Sequence, residues 1–104
     1  MLLKDLNELE AIGQIGDWCF LETTEAESRL IMFLRYPVSD AMWARFYHDA
    51  PELNRGDFCS LPLSGNKPPV WQWDGNRESP TLTPSINVIG RWHGWLREGK
   101  LVTA

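Results

Sequence analysis

Prolines and glycine-bearing turns cut this chain into segments too short for any long helix. Pro37 and Pro51 bound one stretch, and Ser64-Gly65-Asn66-Lys67-Pro68-Pro69 is a loop by composition. Asp74-Gly75-Asn76 reads as a tight turn, and Pro80 and Pro84 fall within one short segment. Proline fixes φ and lacks a backbone donor, whereas glycine admits positive φ, so each of these points ends a regular element.

Between the breaks the texture is aromatic and branched, as strands require. Asp17–Thr23 and Arg29–Tyr36 read as two strands around the polar Thr24–Ser28, although Ile31–Tyr36 alone also fits a short helix. Asp57–Leu63 and Val70–Trp73 are further short strands. Ser79–Ile86 is extended but irregular, on an edge or lining a cleft. Trp92–Arg97 and Lys100–Thr103 flank Glu98-Gly99, a two-residue hairpin signal. Leu2, Leu6 and Leu9 recur at helical spacing up to Gly13. A second helix is expected from Ser39 or Asp40, carrying Met42, Trp43, Phe46 and Tyr47. The predicted fold is α+β, a mostly antiparallel small single domain over residues 1–104, with a short N-terminal helix and one further short helix.

A chain of 104 residues holds one hydrophobic core, and 43% hydrophobic residues suffice to order it. No stretch approaches the roughly 20 apolar residues of a membrane span, and the first residues lack a signal peptide's pattern. Two cysteines, Cys19 and Cys59, are too few for a disulfide framework, so a reduced, cytoplasmic setting is expected. The net charge of −4 is uneven: residues 1–28 set Lys4 against seven carboxylates. With no cluster of lysine or arginine, direct nucleic-acid binding is not expected.

The residues that could carry chemistry are few. Cys19, His48, Cys59 and His93 are the candidate zinc ligands, but they lack the close pairing of structural zinc sites. Ser85 or Cys59 could act as a nucleophile with His93 as base, provided they meet in space. No nucleophile elbow, phosphate loop or dinucleotide fingerprint is present. Asp74 occupies a turn where aspartate is the ordinary structural choice, and Ser85 after Pro84 fits a local backbone bond equally well. Six tryptophans are the compositional oddity. Trp71 and Trp73 would share one strand face, whereas Trp92 and Trp95 would face opposite ways. Most are expected in the core, leaving some as interface anchors.

Residues 71–99 contain Trp73-Asp74-Gly75-Asn76, Pro80-Thr81-Leu82-Thr83-Pro84-Ser85-Ile86, His93-Gly94-Trp95 and Gly99. This order resembles a family of small bacteriophage and prophage proteins, some labelled ammonia monooxygenase, a label that no ligand set or membrane segment here supports. The resemblance covers roughly the last third of the chain. Many members of that family carry cysteines beside the histidine and a Cys-x-x-Cys-like pair upstream, which imply a zinc site. Here Gly90, Arg91 and Trp92 precede His93 and no upstream cysteine pair exists, so the resemblance does not carry the zinc site over to this chain.

The sequence therefore assigns no catalytic residue, metal or cofactor. Its preferred expectation is a non-enzymatic phage-type protein that docks on a host or phage protein, inhibiting a host defence complex in one version. The contact residues would be Trp71, Trp73, Asp74, Asn76, Thr83, Ser85, His93 and Trp95. The alternative is a small zinc-dependent or hydrolytic enzyme centred on His93, with Asp74, Thr83, Ser85 and Cys59 as neighbours. A third reading takes Glu8, Glu10, Glu22, Glu25 and Glu27 as a mimic of a phosphate backbone.

Overall fold

The computed structural model describes residues 1–23, 29–39, 41, 44–45 and 56–104. The helix expected from Ser39 or Asp40 to Tyr47 falls mostly outside them, as do the Thr24–Ser28 turn and His48.

Helix α1 spans Leu6–Ile12. It starts later than the leucine spacing suggests because Asp5 caps it, its carboxylate accepting the Glu8 amide at 2.9 Å. Leu2 is left outside the helix and forms an isolated parallel bridge with Trp18. Gly13 closes the other end, its amide donating to the Leu9 carbonyl.

Strands β1 (Trp18–Thr23), β2 (Arg29–Tyr36) and β3 (Asp57–Pro62) form one antiparallel sheet in the order β1-β2-β3. Ile31–Tyr36 is therefore strand, hydrogen-bonded on both sides. β4 (Gln72–Trp73) and β5 (Leu82–Thr83) make a two-stranded ribbon, shorter than the Val70–Trp73 strand expected. β6 (Ile86–Val88), β7 (Trp92–Arg97) and β8 (Lys100–Thr103) complete a second three-stranded antiparallel sheet. Strand dominance and the N-terminal helix thus hold.

The register of the first sheet sorts its side chains into two layers. Trp18, Met32, Leu34, Tyr36 and Leu61 point one way and pack with Leu82, Ile86, Trp92 and Leu96 from the later strands. Cys19, Phe33 and Phe58 point the other way, toward Leu3, Leu6 and Leu9 around α1. The helix thus covers one face of the first sheet, and the later strands supply the core on its other face. Trp18 and Trp92 are buried in that core, whereas Trp71 and Trp73 are half-buried against it.

Arg35 is the buried charge of the helix layer, only 1% exposed. Its Nε donates to the Leu9 carbonyl at 3.0 Å, Nη2 to Glu10 at 2.9 Å and Nη1 to Gly56 at 2.6 Å. Two of these acceptors, the Leu9 and Glu10 carbonyls, lie toward the C-terminal end of α1, which carries partial negative charge. The guanidinium also stacks 5.1 Å from the centre of the Phe58 ring.

The β7–β8 hairpin closes as its turn residues predict. Glu98 and Gly99 both take positive φ, 48° and 73°, which suits the twist of a two-residue hairpin. The Ser79–Thr81 segment holds this tip: the Gly99 amide donates to the Pro80 carbonyl, and the Glu98 amide to Thr81 Oγ1.

Candidate functional site

Strand β7 alternates buried and accessible residues, with Trp92, Gly94 and Leu96 turned inward. His93, Trp95 and Arg97 therefore share the outer face. The pairing extends this face to both neighbours. Asn87 of β6 stands opposite His93, Val102 of β8 opposite Trp95, and Lys100 opposite Arg97.

Gly94 explains why the outward His93 and Trp95 are separated by glycine. A Cβ there would strike the Trp92 ring and the Val102 carbonyl. The missing side chain lets the Trp92 indole lie under the strand, where its Nε1 donates to Thr103 Oγ1 at 3.0 Å. Glycine here serves close packing.

Ser85 immediately precedes β6 and lies on the same outer face, two residues before Asn87. The His93 Nε2 and Ser85 Oγ atoms are 3.0 Å apart, within hydrogen-bonding distance. The Trp71 indole donates to the Ser85 carbonyl at 3.4 Å, fixing the serine backbone from the core side. On the histidine side, the Ala104 amide donates to the His93 carbonyl, and the Trp95 ring packs 5.8 Å from the imidazole at 36°. Among the described residues, no carboxylate hydrogen-bonds the imidazole.

An open cleft of about 460 Å³ adjoins His93, lined in part by Val38, Arg91, Trp92 and Thr103. Arg91 is held at its rim, donating to Asp57 at 3.1 Å and to the Tyr36 hydroxyl at 3.3 Å.

The structure thus joins only part of the predicted contact set. Ser85, His93, Trp95 and Trp71 come together. Trp73, Asp74 and Asn76 instead build the turn after β4: Asp74 Oδ1 accepts the Asn76 amide, and Asn76 Oδ1 accepts the Glu78 and Ser79 amides. Trp73 leans on Phe20, with ring centres 5.0 Å apart. Thr83 pairs with Gln72 in the ribbon.

Cys59 is no substitute nucleophile. It pairs with Leu34 in the first sheet, packed against the main core, and burial pushes its thiol up to about 12. Burial likewise raises Cys19 to about 11, with Asp5 adding to the rise. Among the described residues, no three of histidine, cysteine, aspartate and glutamate gather as a metal site would require. No described helix is long and apolar enough to cross a membrane.

Asn87 was not singled out in the sequence, although a hairpin pairing 86–88 with 92–94 would have placed it beside His93. The signal was Gly90, whose φ of 75° marks the turn between those strands.

Residues 46–104, more than half of the chain, match the family model BubE, described as the bacterial ubiquitination-like system serine protease. No curated protein and no solved structure matches the chain. The family match overturns the expectation of a non-enzymatic docking protein. That expectation rested on the view that no nucleophile and base meet, whereas Ser85 Oγ and His93 Nε2 are within hydrogen-bonding distance.

Proposed function

Because the chain belongs to the family of bacterial ubiquitination-like system serine proteases, BubE, we propose that it is a serine hydrolase whose nucleophile is Ser85 and whose general base is His93. The observation that carries this reading is the 3.0 Å contact between Ser85 Oγ and His93 Nε2. A base within hydrogen-bonding reach of a hydroxyl is the geometric requirement for its activation.

The chemistry follows from that contact. With the ring proton on Nδ1, the Ser85 hydroxyl donates to Nε2. As Oγ attacks a substrate carbonyl, Nε2 takes the proton and then delivers it to the leaving group when the scissile bond breaks. The acyl group stays on Oγ until a water, deprotonated by the same nitrogen, releases it and restores the serine.

Three neighbours support these steps. Trp95 packs on the imidazole, with ring centres 5.8 Å apart, and fixes its orientation. Trp71 steadies the serine backbone. Asn87, opposite His93 and two residues beyond Ser85, is the side-chain amide this sheet face offers to the developing oxyanion. The family description supports a protein modifier of the ubiquitin type, or its conjugate, as the substrate.

The test is covalent. A fluorophosphonate probe, which reacts with activated serines, is expected to label the purified chain at Ser85, as located by peptide mass spectrometry. Labelling that persists in Ser85→Ala would overturn the assignment.

A further inference from the structure

Beyond the dyad, the same sheet face ends in two cations. Arg97 and Lys100 are directly opposed across β7 and β8, and neither makes an ion pair with any described residue. Like charges facing each other across an antiparallel pair repel. The chain as a whole is acidic, with a net charge of −4, so unpaired cations here are a local feature. Among the described residues of this face, Ser85, Asn87, His93, Trp95, Lys100, Val102 and Ala104, none is an aspartate or glutamate, and Glu98 lies in the turn between the two cations. Trp95 and Val102, the latter 39% exposed, form an apolar row level with Ser85 and next to the cations. The Arg97 guanidinium already lies over the Trp95 ring, 4.8 Å from its centre, and is thereby held toward the dyad side.

We infer that Arg97 and Lys100 form a specificity subsite for an acidic side chain of the substrate, two residues from the attacked carbonyl. This rests on the dyad reading, and the spacing follows from strand geometry. Continuing the β6–β7 register sets Ser85 beside Trp95, two residues before Arg97 along β7. A strand advances about 3.3 Å per residue, so the cations lie about 7 Å farther along the face. An extended peptide laid along β7 advances at the same rate. With its scissile carbonyl at Ser85, its second residue reaches the cations while its backbone crosses Trp95 and Val102. The occupant is an extended, acidic peptide segment.

Internally quenched peptides that differ only in carrying Glu, Gln or Lys two positions before or after the scissile bond test this, with a small neutral fluorophosphonate as control. In one of the two series, kcat/KM for Glu is expected to exceed that for Gln at least tenfold, with Lys poorest. The advantage is expected to vanish in the double variant R97Q/K100Q and to shrink as salt approaches 1 M, where the screening length is about 3 Å. Labelling of Ser85 by the neutral probe should be unchanged in that variant. Equal cleavage of Glu and Gln peptides, a preference that survives R97Q/K100Q, or no cleavage of acidic peptides by a chain whose Ser85 is labelled would overturn the subsite alone. Absence of Ser85 labelling would overturn the dyad, and the subsite with it.

Discussion

Ser85 Oγ and His93 Nε2 lie 3.0 Å apart although eight residues separate them in sequence. The turn at Gly90 folds β6 back on β7 with Asn87 opposite His93, and the imidazole reaches diagonally to the serine. If this pair is the reaction centre, Ser85→Ala and His93→Ala should each reduce hydrolysis of an activated ester by about a thousandfold or more. The two losses should not multiply in the double variant, because nucleophile and base act as a unit. Cys59→Ser, altering a partly buried thiol of the other sheet, should leave the rate within about twofold. A Cys59→Ser variant as inactive as Ser85→Ala would reassign the nucleophile.

Asn87 carries the oxyanion role in the proposed mechanism. Removing one donor of this kind lowers kcat by about 10²–10³-fold. Asn87→Ala should show that loss in kcat with little change in KM, because the interaction strengthens only as charge develops on the substrate oxygen. Since Asn87 is exposed, the melting temperature should stay near that of the parent. A rise in KM at constant kcat would make Asn87 a substrate-binding residue.

Local signals in the sequence were enough for the elements but not for the site. The hairpin around Glu98-Gly99 was legible because a two-residue turn with positive φ fixes its own register. Helix α1 was legible from leucine spacing, and only its start shifted, through the Asp5 cap. The Ser85–His93 pair could be considered but not joined. Its meeting depends on β6, a strand of three residues, too short to announce itself by alternation. Asp74 and Asn76 show the converse: polar residues beside tryptophans suit a binding surface, and a local role was hidden until their side chains were seen to bond the backbone of the turn. Arg35 gave no sign of its burial, because a charged residue within an alternating strand ordinarily faces solvent.

The cysteines set a measurable alkaline limit. Burial raises Cys59 to about 12 and Cys19 to about 11, from an ordinary value of 9.0. The folded chain therefore keeps its thiol protons where the unfolded chain loses them, and stability must fall as pH rises from about 9 through these values. Thermal melting across pH 7–11 should show a plateau and then a decline beginning near 9. Cys19→Ala/Cys59→Ala, compared with its own neutral-pH value, should flatten that decline. In the native chain at pH 8, iodoacetamide should modify both thiols far more slowly than after unfolding in denaturant.

Arg35 ties α1 to the first sheet by donating to Leu9, Glu10 and Gly56. Arg35→Met keeps much of the apolar stem but strips donors from these carbonyls. Removing three charge-assisted bonds from these carbonyls should destabilise the fold by about 2–4 kcal/mol, although the Leu9 carbonyl keeps its bond from the Gly13 amide. Urea unfolding should register this as a lower midpoint with an unchanged slope. A variant as stable as the parent would mean that water or a shift of α1 satisfies the carbonyls.

Gly94 links the fold to the proposed chemistry because it lies between His93 and Trp95. A methyl group in its place meets two obstacles, the Trp92 ring and the Val102 carbonyl. The indole is buried and tied to Thr103, and the carbonyl belongs to β8, so neither can move aside without disturbing the hairpin. Gly94→Ala should therefore cost about 1–3 kcal/mol of stability, as overpacking of a filled interior does. The strand must also bulge outward at the dyad. Even well below its melting temperature, the variant should label more slowly with fluorophosphonate, because a displacement of about 1 Å between nucleophile and base is enough to lower the rate about a hundredfold. Loss of stability with an unchanged labelling rate would show that β7 absorbs the methyl group without moving His93, and Gly94 would then serve packing alone.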